Sequence, residues 1–597
     1  MLNFIFLLIL QDVSAFNETV NGRMVIMDRA WLFIHKANFG SKKVFYHQRE
    51  CYKCLWTELK FDRASSDDKP AGFADPYEAE IDIRWPLRLA IAHESVLKMN
   101  YDDETTPFCI MPFEKFAEGG FYELENDCKR SIIMPGRRIL KKDSTVLIVC
   151  IPFIIYLIWY NIRRRRALEP EEAKPENPFA DDQTDKQEDQ EVQEDEPAPP
   201  APAKKKRYKS LDTLRGLSLI IMIFVNYGGG EYWFMEHVAW NGLTVADLVM
   251  PWFLFMSGVS IRIALQSRIK RGISKTEISY EILVRSVKLI GLGMITIGGN
   301  ESWEYFRFPG VLQRIGFSYF VVAIIHLLVI EHPDKEPETN WGLFKEMSFN
   351  FKEHLISWSI LGAFICLTYL LPIPGCPTGY TGPGGLSENG EHYHCIGGAA
   401  GYIDRKLLGE KHIYNWPTAY HDEPNGVPFD PEGLLGTLTS IFMVYLGLQA
   451  GKCFDIFKTP KSIILHLLGL AAVYGISGML LATIGFGKIA EAIIPINKNL
   501  WSVSFVFVLS SMAFTLLAFL YFIIDVRDWW DGAPCYFVGM NSILIYLLHS
   551  IAGYRIPFTW TPKFQSHSEE MLMAFMGPFL WTIYAYWCYD RKFFVSV

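Results

Sequence analysis

No internal repeat runs through this 597-residue chain, and no pair of broken hydrophobic segments recurs in matching halves, which argues against a repeat-built membrane carrier. Cys51-Tyr-Lys-Cys54 has no second pair of its kind, so zinc or redox chemistry gives way to a structural disulfide as the better reading. No lysine or arginine precedes the opening apolar run from Leu2 to Leu10, which is too short to span a bilayer. With Ser14 and Ala15 before Phe16, residues 1–15 read as a signal peptide with a weak n-region, and the residues after Ala15 are expected to be exported. From Ala167 to Pro202 apolar residues are few among Glu, Asp, Gln and Pro; such a stretch cannot bury a core and reads as a disordered linker within residues 161–207.

What is abundant is apolar sequence. Half of the residues are hydrophobic and 15% are aromatic, with a slightly positive mean hydropathy, which places the chain in a membrane class. The net charge of −8 owes much to the stretch from Glu169 to Glu196 and so names no partner. Residues 16–143 alternate short apolar runs with turn residues, as in Ile81-Asp-Ile-Arg-Trp85, the period of a small, β-rich luminal domain. Ser144 to Tyr160 is an apolar run followed at once by Arg163-Arg-Arg-Arg166, a first transmembrane helix with its C-terminal end in the cytosol. Ten more spans are expected within residues 208–597: 211–227, 243–267, 281–299, 309–331, 354–372, 433–451, 462–485, 500–525, 533–555 and 572–590.

The charges between spans support that order. Segments expected in the cytosol carry Arg268, Lys270, Arg271 and Lys275, then later clusters up to Arg591 and Lys592, whereas Tyr227 to Leu243 holds no cation at all. The fold class is thus a mainly α-helical polytopic membrane protein of about eleven transmembrane helices, with a luminal N-terminus, a cytosolic C-terminus and a long luminal loop, residues 373–432. A loop of that length and complexity suits a cap or a binding loop. On this topology Cys51, Cys54, Cys109, Cys128, Cys376 and Cys395 share an oxidising compartment, and six cysteines allow fifteen pairings among which sequence does not choose. Asn17 and Asn300 begin glycosylation sequons.

Polar residues inside the spans mark candidate function, because they are costly unless they face protein or water. Asp212 and Arg215 open the second span, Asn226 ends it, and His237 lies in the cation-free turn among Tyr232, Trp233, Phe234 and Trp240, with Asp247 just inside the third span. Asp212 and Arg215 are either a helix-terminal ion pair or part of a cofactor site, in which Arg215, with Arg262, Arg285, Lys288 and Arg314, holds an anionic cofactor's phosphates. His237 is either an interfacial histidine of an aromatic belt or a base shielded by its aromatic neighbours. Gln313, Asn541, Ser542 and His549 are equally open between interhelical hydrogen bonding and a site role.

Several stretches resemble the heparan-α-glucosaminide N-acetyltransferase family: Asp212-Thr-Leu-Arg-Gly216, Val225-Asn-Tyr-Gly-Gly-Gly230, Trp240-Asn-Gly-Leu-Thr-Val-Ala-Asp-Leu248, Gly310-Val-Leu-Gln-Arg-Ile315, Gly397-Gly-Ala-Ala-Gly-Tyr-Ile-Asp-Arg405, Pro431-Glu-Gly-Leu-Leu-Gly436, Pro495-Ile-Asn-Lys-Asn-Leu-Trp501 and Gly539-Met-Asn-Ser-Ile543. The resemblance implies a lysosomal membrane enzyme taking acetyl from cytosolic acetyl-CoA, without a metal, to a glucosaminide derived from heparan sulfate in the lumen. It implies His237 as the catalytic residue with Asn226 beside it; Asp247, Trp240, Glu301, Asn499 and His549 are the residues expected toward the acceptor. Membrane lipid is the other expected partner, nucleic acid is not one, and a homodimer stays open. Acyltransferases of the broader acyltransferase-3 type resemble the Leu211-Asp-Thr-Leu-Arg-Gly216 opening but carry a histidine where this chain has Asn226, so another acceptor and a polytopic transporter are the alternatives.

Overall fold

The computed structural model describes strand segments between residues 19 and 134 and most of residues 207–595, leaving out 298–301, 331–350, 386, 388–389, 416–418, 420–426, 484–492, 554 and 561–566. The expected signal peptide, first span and most of the linker lie outside the described residues, as do Asn17, Cys51, Cys54, Cys128, Asn300 and Glu301.

The N-terminal part is β-rich, as its period-2 pattern predicts. β1 (Arg29–His35) pairs antiparallel with β3 (Pro76–Asp82), and β2 (Lys42–Gln48) pairs antiparallel with β4 (Leu87–His93), each pair in a sheet of its own. Alternate residues turn inward: Ala30, Leu32 and Ile34 from β1 and Leu87, Leu89 and Ile91 from β4 share one buried cluster. Cys109 lies on a short strand beside Ile91.

The remainder is helical: α1 Lys209–Asn226, α2 Val249–Lys270, α3 Lys275–Thr296, α4 Val311–Val329, α5 Phe351–Leu370, α6 Gly398–Leu407, α7 Leu434–Ile456, α8 Pro460–Thr483, α9 Val503–Leu520, α10 Cys535–Met540, α11 Ser542–Ala552 and α12 His567–Asp590. Among the described residues, seven helical stretches are long and apolar enough to cross a membrane. They coincide with seven of the spans expected from sequence. Three further expected spans among the described residues differ for physical reasons. Lys209, Asp212 and Arg215 put three charges into α1, Lys275, Glu277, Glu281, Arg285 and Lys288 put five into α3, and the tenth expected span breaks at Asn541 into α10 and α11.

Close backbone contacts fix the helix packing. A side chain at Gly258 would strike the Val444 carbonyl and one at Gly447 the Phe255 carbonyl, so α2 and α7 lie backbone to backbone. Gly216 and Gly539 let α1 and α10 approach in the same way. A buried ionic network crosses α2, α4, α5 and α7: Arg262 donates to Asp455 at 2.7 Å and to His326 Nε2 at 3.3 Å. His326 Nδ1 donates to Glu353 at 2.7 Å, which also accepts from Lys452 at 3.0 Å and Gln449 at 3.3 Å.

Candidate active site

The turn between α1 and α2 carries the site. Gly228, Gly229 and Gly230 all have positive φ (95°, 56° and 74°), a run that side chains rarely tolerate, and it reverses the chain directly after Asn226. The turn ends in a short 3-10 helix, Val245–Leu248, whose cap residue Thr244 donates its backbone N–H to Asp247 Oδ2 (3.2 Å) and its hydroxyl to the Glu236 carbonyl (2.5 Å). Val238 N–H reaches the same oxygen at 3.4 Å. With Oδ2 so occupied, the buried Asp247 presents Oδ1 to His237 Nδ1 at 2.7 Å. The His237 side chain is 44% exposed, so the imidazole is anchored at one nitrogen and open at the other.

A second loop docks on this turn. Asn241 and Asn497 form a backbone bridge, Asn497 Nδ2 donates to Asn241 Oδ1 at 3.0 Å, Asn499 Nδ2 donates to the Ala239 carbonyl at 3.1 Å, and Gly242 N–H donates to the Ile496 carbonyl at 2.9 Å. These ties deliver Lys498, whose Nζ lies 2.8 Å from His237 Nδ1 and 3.4 Å from Asp247 Oδ1. Trp240 is buried, with its indole N–H on the Thr381 carbonyl (3.0 Å) and its ring 5.6 Å from that of Phe429, so it pins the long loop to the turn rather than lying open.

That loop is itself braced. Cys376 and Cys395 form a disulfide, which settles their pairing among the six candidates. Arg307 donates to Asp430 (2.6 and 2.8 Å) and to Glu432 (2.5 Å). Burial would raise the Glu432 carboxyl, but Arg307, Lys498 and Arg314 outweigh it and hold the group down at about 2. Asp404, in α6, goes the other way: burial pushes its carboxyl up to about 7, although Leu434 N–H donates to Oδ1 at 2.8 Å, and Oδ2 has no partner.

The other expected site residues fall into separate groups. Asn226 Nδ2 donates to His549 Nε2 at 3.2 Å, with His549 Nδ1 turned to the Ile545 carbonyl at 3.3 Å, so these two candidates meet each other. Asp212 accepts from Arg207 at 2.6 Å and from Arg215 at 3.3 Å, and Arg215 also donates to Ser260 at 3.0 Å. Arg285 lies close enough for its charge to act on Arg215; its guanidinium sits 4.7 Å above the Tyr319 ring, and its buried Nε has no partner. Lys288 is exposed. Arg262 belongs to the ionic network above, and Arg314 donates to the Gly433 carbonyl at 2.7 Å over the Trp501 ring, next to the long loop and not among the other arginines. Sequence reasoning passed over Lys498, although it stands inside the Pro495–Trp501 stretch; its signal was a cation between two asparagines in a segment otherwise poor in cations. Among the described residues no group of three or more His, Cys, Asp or Glu side chains is placed to hold a metal ion.

An oriented imidazole on a polytopic helical scaffold is a constellation for proton transfer, and the comparisons with known proteins name its setting. Residues 207–334, which contain α1 to α4 and the His237 turn, match the family model "Heparan-alpha-glucosaminide N-acetyltransferase, catalytic". The chain is 37% identical over 605 residues to heparan-alpha-glucosaminide N-acetyltransferase of Mus musculus, covering 96% of this chain and 89% of that protein. It is 36% identical over 612 residues to the Homo sapiens protein of the same name, covering 96% and 88%. With likeness of that extent spanning nearly its whole length, the chain belongs to the heparan-α-glucosaminide N-acetyltransferase family.

Proposed function

We propose that this protein is a membrane-bound enzyme that transfers acetyl from acetyl-CoA to the amine of a terminal glucosamine of heparan sulfate, with His237 as general base. Family membership supports the reaction, and the 2.7 Å bond from His237 Nδ1 to the buried Asp247 is the observation that carries the mechanism. An amine must lose a proton as it attacks a thioester, and a neutral imidazole with Nδ1–H fixed on a carboxylate offers Nε2 to receive it. The amine nitrogen bonds to the acetyl carbon, the C–S bond breaks with its electron pair on sulfur, and the proton held on Nε2 returns to the thiolate as CoA-SH. Asp247 offsets the transient imidazolium charge.

Asn226 fits the carbonyl side of this step: one amide N–H is held by His549, and the other is free to donate to the oxygen that gains charge. Transfer in a single complex is the reading adopted; acetylated protein trapped with acetyl-CoA alone would overturn it.

For the donor, Arg215 and Arg285 are the fitting phosphate holders, because two like charges lie together and the Arg285 Nε is buried without a partner. Arg215 and Asn226 are eleven residues apart on α1, a rise of about 16 Å, so acetyl-CoA spans from one to the other along that helix. The eleven-span arrangement in a lysosomal membrane, with luminal N-terminus and cytosolic C-terminus, is supported by the cation-poor turn at His237 and the cation-rich segments after α2 and α7. The test is purified protein in detergent with acetyl-CoA and glucosamine. N-acetylglucosamine forms with the native chain and not with His237→Ala; equal product from both would sink the reading.

A further inference from the structure

Asp247 and Lys498 both address the same ring nitrogen of His237, and the two hydrogen bonds exclude each other. Nδ1 either gives a proton to Asp247 Oδ1 at 2.7 Å or takes one from Lys498 Nζ at 2.8 Å. Asp247 is wholly buried and its Oδ2 already accepts two backbone N–H groups, so Oδ1 is the acceptor that remains, and His237 and Lys498 share it. The lysine is not a stray surface cation: its side chain is 15% exposed, and its loop is tied to the His237 turn on both sides, through Asn497 and Asn499. The charged groups in contact with the imidazole are one carboxylate and one ammonium, and the lysine's charge also acts on Glu432, itself bound to Arg307.

We infer that Lys498 is a positioning residue for acetyl transfer, whose charge opposes a second proton on His237 and so keeps Nε2 free to accept the amine's proton in an acidic compartment. The inference rests on His237 being the base. Asp247 alone would favour a ring protonated at both nitrogens, because an anion beside an imidazole stabilises the cation. Such a ring binds no further proton and cannot act as a base. In the base-competent state Nδ1–H stays on Asp247 Oδ1 and the ammonium turns its own N–H to that same oxygen, 3.4 Å away, so its charge offsets the attraction without taking the ring nitrogen. Lys498 is on the Nδ1 side, opposite the nitrogen that meets substrate, so it acts through His237 and not by touching the acetyl group.

The experiment is the pH profile of kcat/KM for purified Lys498→Met, Lys498→Gln and Lys498→Arg, with binding of CoA measured alongside. Loss of the charge moves the acid limb of the profile to higher pH, by on the order of one unit, in the Met and Gln variants, whereas Lys498→Arg keeps the native position. A charge-free variant whose acid limb superposes on the native one, or moves to lower pH, overturns the inference. Should Lys498→Met lose CoA binding through misfolding, the comparison of Gln with Arg decides, and identical profiles for those two count against it. The base assignment fails separately: His237→Ala with a native profile refutes both, while an inactive His237→Ala with unmoved Lys498 profiles refutes only the role of the lysine.

Discussion

Replacing Asp247 with asparagine probes the site through a single atom. Two backbone N–H donors converge on Oδ2, from Thr244 and Val238, so the amide oxygen of the introduced asparagine takes that position. Its NH2 group then faces His237 Nδ1, where the carboxylate oxygen had been 2.7 Å away. An NH2 donor forces Nδ1 to accept, which moves the ring proton to Nε2 and removes the base from the side where substrate binds. A wrong tautomer in a histidine–carboxylate pair costs about 10⁴ in kcat in the serine protease precedent; here the expected loss is about 10³ to 10⁴, or roughly 4 to 5.5 kcal/mol. Steady-state turnover of acetyl-CoA with glucosamine measures it, with CoA affinity as the control for folding. An Asp247→Asn protein that binds CoA normally and keeps more than about a tenth of the native kcat would refute the tautomer argument.

Other outcomes rest on the same geometry. Arg285→Gln raises the KM for acetyl-CoA by about tenfold or more, the worth of a charged hydrogen bond, and leaves the KM for glucosamine unchanged, whereas Arg262→Gln shows no such selective effect. Glu353→Ala strands Lys452 in a buried site and costs about 3–5 kcal/mol, read as a lower unfolding temperature in detergent. Glu353→Gln with Lys452→Met together recovers part of that loss, because no unpaired charge is left behind. The buried Asp404, pushed up from 3.8 to about 7, contributes stability that is complete below pH 3.8 and is lost as pH rises through 7. Native protein therefore gains unfolding temperature relative to Asp404→Asn on acidification from about pH 7.5 to about pH 5, and parallel curves would contradict this. Glu432 works oppositely, but its contribution is lost only as pH falls from 4.5 toward 2, outside that window.

The spans whose polar residues are few were legible in the sequence: α2, α4, α5, α7, α8, α9 and α12 fall within a few residues of the expected limits, because hydropathy alone decides them. The strands were legible from their alternation. Pairings between distant segments were not. Nothing in the local sequence of His237 says that Lys498, 261 residues on, reaches its ring, since that contact depends on how two loops dock. Nor does an arginine in an apolar helix announce its neighbours: Arg262 lies on an aspartate and a histidine, and Arg314 on a backbone carbonyl and a tryptophan face, with its buried Nε and Nη1 left without a partner. Residue type shows that a buried charge needs a partner; only the fold shows which. Trp240, expected toward the acceptor, is buried with its ring near Phe429 and its indole N–H on the Thr381 carbonyl, contacts that its local sequence does not announce.

Central to the proposed reaction is that acetyl-CoA runs along α1 from Arg215 to the turn after Asn226, where His237 meets the amine. Cryo-electron microscopy of the protein with bound acetyl-CoA tests this most directly. Phosphate density is expected against Arg215 and Arg285, with the thioester carbonyl within about 3 Å of a donor at Asn226, on the Nε2 side of His237. Density for CoA lying wholly outside α1 and α2, or a thioester at the opposite end of α1 from His237, would contradict it.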